Sequence, residues 1–191
     1  MSSNAEIIEL RQDPLPDEMR VLLDSYPRES WEKHPNFKLA TRNWLGAHQM
    51  FRRLSETVRR DAEKYLNRSK DPHAYGAQLS YRGNALVGNL IGHHGWEDYS
   101  YFPELSAADS RFDTGLEILE NDHHILDKIL HDFSQAAIRA INLIQLNESA
   151  AFDEIGKVHK SALVIEKLLA RHLVDEEELA VPIIIHHKLR G

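Results

Sequence analysis

Cysteine is absent from this sequence, which excludes disulfides, thiolate metal sites, iron–sulfur clusters and thiol redox chemistry. A chain without disulfides suits a reducing compartment, and the expected location is the cytoplasm. No apolar run approaches the roughly eighteen residues that a membrane span requires. The opening stretch MSSNAEIIELRQDPLP lacks the basic start, apolar run and small-residue cleavage site of a secretory signal, so export is unsupported. Lysine and arginine form no stripe, and the formal net charge of −7 argues against a phosphate backbone as partner. Neither nucleic acid nor a membrane is therefore expected as a partner.

What is present is an ordinary globular composition, 42% hydrophobic and 28% charged over 191 residues, enough for one domain with its own core. A metal in such a chain serves function before folding. The feature out of proportion is histidine, of which there are twelve.

Pro14, Pro16, Pro27 and Pro35 punctuate residues 1–39, leaving room for one short helix in PDEMRVLLDSY; this segment reads as an arm packed on the helices C-terminal to it. From about Leu39 to Asn67, Trp44, Phe51, Ser55, Val58, Ala62 and Tyr65 recur at the helical period. Asp71-Pro72 then supplies an N-cap and a first-turn proline for a second helix, expected to run to about Phe102 and to end at Pro103. Gly76, Gly83, Gly88, Gly92 and Gly95 interrupt it, and the preferred explanation is close approach of neighbouring helices rather than a hinge. A third helix, capped by Asp113 or Thr114, carries Leu116, Leu119, His123, Leu126, Leu130 and Ala137 on one face toward Leu146. A fourth begins near Ala150 and carries Val158, Ala162, Ile165, Leu169, His172, Glu176 and Leu179 until Pro182. Together these helices imply an all-α fold class, an up-down-up-down four-helix bundle over residues 40–183, with the arm before it and a tail at 184–191.

Residues four apart on a helix share a face, so His93 with Glu97, and His172 with Glu176, can each reach one metal together. His48, His123, His172 and Glu176 fall on apolar stripes, where an unpaired polar group is costly. Four helices each turning an imidazole inward, two of them with a carboxylate, is how bundles build metal sites in their cores. Imidazole and carboxylate without sulfur favour iron, with manganese and zinc ranked lower. Six side chains exceed the needs of one zinc and suit two irons, with Glu97 and Glu176 as bridges and further positions left for water, an oxo or hydroxo bridge, or a small ligand.

The segments NWLGAHQMF, GHHGWEDYSYFPEL, ENDHHILDKIL and RHLVDEEELAVP resemble the hemerythrin-like, or HHE cation-binding, family, whose pattern is a lone His, a His-x-x-x-Glu, a lone His and a second His-x-x-x-Glu. The resemblance covers roughly residues 40–183 and implies a four-helix bundle around two irons held by His48, His93, Glu97, His123, His172 and Glu176. Oxygen-carrying hemerythrins place two histidines one turn apart on the third helix, whereas Leu119 and Asp127 stand one turn from His123 here; their terminal aspartate is matched by Glu176, four residues after His172. Oxygen carriage is thereby set apart from the sensing, storage, iron-handling, nitric oxide and peroxide roles associated with such domains.

Of the other histidines, His124 shares a charged face with Glu117, Lys128 and His131 and reads as solvated. His94 is assigned to a face with Val87, Ile91 and Tyr101 and ranks below His93, as an outer partner or an extra ligand. His34, His73, His159, His186 and His187 read as surface residues, Tyr101 as a core aromatic, and the carboxylates flanking Glu176 in Asp175–Glu178 as a solvated face. Two functions compete: a protein that binds dioxygen or a related ligand such as nitric oxide or peroxide, and an enzyme that decomposes hydrogen peroxide, for which no separate acid–base residue stands out. A helical interaction protein with a vestigial site is the third. Monomer and homodimer are both compatible with the surface pattern.

Overall fold

A computed structural model of the chain describes residues 10–189. The expectations for residues 1–9, in the arm and in the leader reading, lie outside the described residues, as do the last two residues of the tail. The elements are a short helix α1 (Val21–Ser25), α2 (Leu39–Leu66), α3 (Pro72–Trp96), a π-helical turn Glu97–Tyr101, α4 (Phe102–Ala108), α5 (Asp113–Leu146) and α6 (Glu148–His187), with short 3-10 segments at Asp17–Met19, Arg28–Lys33 and Ser110–Phe112. Among the described residues there is no strand, and no helix is long and apolar enough to cross a membrane.

The long helices pack as a closed ring, α2 on α3, α3 on α5, α5 on α6 and α6 on α2. Short connections make ring neighbours antiparallel: Asn147 alone separates α5 from α6 and caps the latter by accepting the Ala150 N–H at 3.1 Å. Asp71 caps α3 the same way, taking the Ala74 N–H at 2.8 Å with Pro72 in the first turn. The faces expected from periodicity on the first, third and fourth long helices are the buried ones.

Both helix ends assigned to prolines are corrected. At Pro103 the chain stays helical: the Phe102 N–H bonds the Glu97 carbonyl five residues back, a wider π turn that relieves the clash of the Pro103 ring with the preceding turn and lets α4 continue. At Pro182 α6 runs straight on to His187, so residues 184–187 are helix rather than tail. An interior proline costs about 3 kcal/mol. Complete burial of Ile183, Ile184 and Ile185 contributes about 1.5–3 kcal/mol each and outweighs it.

Apolar side chains form two clusters stacked along the bundle axis. The larger holds Phe51, Leu90, Leu126 and Leu169; the smaller holds Trp44, Tyr101, Leu119 and Leu179 together with Leu15, Met19, Leu22, Trp31 and Phe37 from the arm. On each long helix the position between the clusters is polar: His48 on α2, His93, His94 and Glu97 at the end of α3, His123 on α5, and His172 and Glu176 on α6. The bundle is thus a polar layer between two hydrophobic plugs, with the arm closing the second plug.

The glycines divide. A Cβ at Gly76 or Gly83 would meet Ile144 at 3.3 Å or Phe133 at 3.4 Å, so close helix approach explains these two, but Gly88, Gly92 and Gly95 have nothing within 4 Å and face outward. Helix propensity alone should then govern the outer face, and Gly88→Ala is expected to raise stability to thermal unfolding by about 0.5–1 kcal/mol. At Gly115 a Cβ would lie 3.0 Å from Leu179 and 3.1 Å from the Met19 sulfur, so Gly115→Val is expected to lower stability by about 1–3 kcal/mol through overpacking. Melting curves of the two variants read both outcomes.

Candidate metal centre

The helical period brings all six expected residues together, and one more. His48, His93, Glu97 and Glu176 present ligand atoms within 4.8 Å of one another, and His94, His123 and His172 form an adjoining group on the same criterion. All seven are buried except His93, whose side chain is 10% exposed.

Three of the five imidazoles are aimed by a carboxylate behind them. His48 Nδ1 lies 3.1 Å from Glu177, His123 Nδ1 2.7 Å from Asp98, and His172 Nδ1 3.3 Å from Asp122. Donation to a carboxylate fixes the proton on Nδ1 and leaves Nε2 as a bare lone pair directed into the site. Burial then lowers the pKa of His123 and of His172, which keeps both rings neutral. The consequence is a conflict: His123 Nε2 and His172 Nε2 face each other across 3.1 Å with the proton of each ring committed to the far side. His48 Nε2 and His93 Nε2 are likewise 3.0 Å apart. Two nitrogens bound to one metal at about 2.0–2.1 Å and a right angle are separated by about 3 Å, so both spacings match adjacent coordination positions.

The glutamates sit between the two groups. Glu97 Oε1 is 2.8 Å from His93 Nε2 while its Oε2 is 3.7 Å from His123 Nε2; Glu176 Oε2 is 3.5 Å from His48 Nε2 and 3.6 Å from His172 Nε2. Neither oxygen of Glu176, nor Oε2 of Glu97, receives a hydrogen bond. Burial opposes the charge of Glu97, but the neighbouring His48 and His93 outweigh it and hold its pKa well below the usual carboxylate range. Burial, and then the charge of Glu97, push Glu176 well above that range. Glu176 receives no hydrogen bond and Glu97 is served on Oε1 alone; ringed by imidazole nitrogens, the two form a ligand set that a cation satisfies.

Several contributors escaped the sequence reading. Asp175 and Glu177 are buried rather than solvated. Glu177 is held at a pKa of about 2 by His48, Arg28 and Arg52, which together overcome its burial. Arg11 of the arm bonds Asp122 at 2.6 Å and Asp175 at 2.6 Å, and so supports the carboxylate behind His172. Trp44 packs on His48 with ring centroids 4.2 Å apart, and its Nε1 donates to Glu97 Oε1 at 2.7 Å. Asp98, Asp122 and Glu177 adjoin Glu97, His123 and Glu176 in sequence, and that adjacency was the available signal. Tyr101 is a core aromatic, stacked on Trp96 at 5.0 Å. His124 is exposed as expected, whereas His187 bonds Asp109 at 2.9 Å and His159 lies 3.3 Å from Glu63.

The family model for the hemerythrin HHE cation binding domain matches residues 39–184. No curated protein and no solved structure matches. The family and the His/Glu cluster together indicate a metal-binding domain.

Glu176 is expected to burden the protein when metal is withheld. Replacing it with the similarly sized, apolar Met should stabilise the chelator-treated protein by about 1–3 kcal/mol, the cost of an unsatisfied buried polar group. Loss of stability in Glu176→Met without metal would show that the carboxylate has a structural partner.

Proposed function

We propose that this chain, which belongs to the hemerythrin HHE cation-binding domain family, holds two iron ions between His48, His93, Glu97, His123, His172 and Glu176 and uses them to bind dioxygen or a related small ligand. The observation that carries this reading is the position of Glu97 and Glu176, each facing a histidine of both groups, Glu97 through its two oxygens and Glu176 through Oε2. A single ion would not call for carboxylates spanning two sets of imidazoles. Iron fits better than zinc because the donors are nitrogen and oxygen only and exceed a four-coordinate site.

Bound there, the ions supply Lewis acidity and one-electron redox chemistry. The chain's residues do the positioning. Glu177, Asp98 and Asp122 hold His48, His123 and His172 in one tautomer; Arg28 and Arg52 hold Glu177, and Arg11 holds Asp122. Trp44 packs on His48 and Phe51 on His93, and both exclude water. Burial of the site favours a ligand of two or a few atoms, because anything larger requires the bundle to open. The carboxylates ringing the site are each committed to an imidazole, which favours ligand binding over peroxide decomposition, where a proton must move during each turnover.

Metal analysis of purified protein, with a visible spectrum after exposure to air, tests the reading. Two irons per chain and a charge-transfer band are expected; zinc or no metal would contradict it. His123→Ala and Glu176→Ala should each lower iron content toward one per chain or less. Gas evolution on adding hydrogen peroxide should not exceed that of free iron, and clear turnover above it would move the assignment to an enzyme.

A further inference from the structure

The family pattern, as the sequence carries it, takes one histidine from the second long helix, His93. We infer that His94, the next residue of α3, is a seventh metal ligand and completes a three-imidazole group with His123 and His172. This rests on the metal-binding function proposed for the chain and extends it to a residue outside that pattern.

Four observations converge on His94. It is 1% exposed, on the buried stripe of Leu79, Leu86 and Leu90, four residues beyond Leu90; of the residues grouped with it from sequence, Tyr101 is buried, Val87 partly buried and Ile91 48% exposed. Neither of its ring nitrogens makes a hydrogen bond, a cost that a buried imidazole does not bear without a partner. A ring nitrogen of His94 lies within 4.8 Å of ligand nitrogens of both His123 and His172. Its ring stacks on that of His123, with centroids 4.1 Å apart and planes within 9°.

Asp127 explains the arrangement. Oxygen carriers of the family have a second histidine one turn along the third helix; here Asp127 stands one turn after His123, and its Oδ1 lies 3.6 Å from His94 Nδ1. The helix that lacks the imidazole supplies a carboxylate facing Nδ1 of an imidazole from the neighbouring helix. Nδ1 of His94 thus faces a carboxylate, as those of His48, His123 and His172 do, at a distance longer than a hydrogen bond, which leaves Nε2 for the metal. Burial lowers its pKa as well, in keeping with a neutral ring.

The test compares full-length protein with His94→Phe, which keeps the stacked ring and removes both nitrogens, with His94→Gly, and with His124→Ala as an exposed control. Each is loaded with ferrous iron without oxygen, and metal per chain, affinity and spectrum are measured; circular dichroism of the metal-free forms checks folding. Wild type and His124→Ala should hold two ions. His94→Phe and His94→Gly should bind one of them at least about tenfold more weakly, and free imidazole should restore it to His94→Gly only. Two ions bound with unchanged affinity and spectrum in His94→Phe would overturn the inference, as would a loss in His94→Gly that imidazole does not restore. Wild-type protein that binds no iron would overturn the two-iron reading itself.

Discussion

The bundle is arranged around one buried polar layer that the polypeptide does not satisfy by itself. His123 Nε2 and His172 Nε2 meet across 3.1 Å, and the side chain of Glu176 beside them receives no hydrogen bond. Leaving such a group unsatisfied costs about 1–3 kcal/mol, and several lie in one layer of a domain whose net stability is of the order of 5–15 kcal/mol. Hydrophobic plugs on either side of the layer supply the surplus that tolerates it. A cation would convert the same atoms from a burden to a source of stability, which is how metal binding couples to folding in preorganised sites.

Around that layer runs a second ring, whose members lie behind the imidazoles. Glu177, Asp98 and Asp122 receive Nδ1 protons; Arg28 and Arg52 hold the first of these carboxylates and Arg11 the last. Two of those arginines, Arg11 and Arg28, come from the segment preceding the bundle. The arm therefore has two physical roles: Leu15, Met19, Leu22, Trp31 and Phe37 close the second plug, and its cations fix the orientation of His48 on α2 and His172 on α6. Exposed ion pairs contribute little to stability; these matter because the carboxylate ends are buried and their position sets that of an imidazole.

Much of this was legible in the residues. Apolar spacing located the faces of the first, third and fourth long helices, and the two His-x-x-x-Glu pairs with two lone histidines located the polar layer. What failed has physical causes. Proline rules ended helices at Pro103 and Pro182, but a π turn accommodated one and buried isoleucines outweighed the other. Charge runs were assigned to solvent, yet Asp175 and Glu177 are buried because arginines distant in sequence reach them, and long-range pairing leaves no periodic trace. His94 ranks below His93 on sequence, as an outer partner or an extra ligand, because glycines blur the α3 stripe; Leu86 and Leu90, eight and four residues before it, mark the inward side.

The proposal is that one buried layer holds two cations, with Glu97 and Glu176 placed between them. Crystals of iron-loaded protein, with anomalous differences measured on both sides of the iron absorption edge, address it most directly. Two iron peaks should appear within the layer, each within bonding distance of both glutamates. A single peak, peaks confined to the protein surface, or none in a fully folded crystal would contradict it.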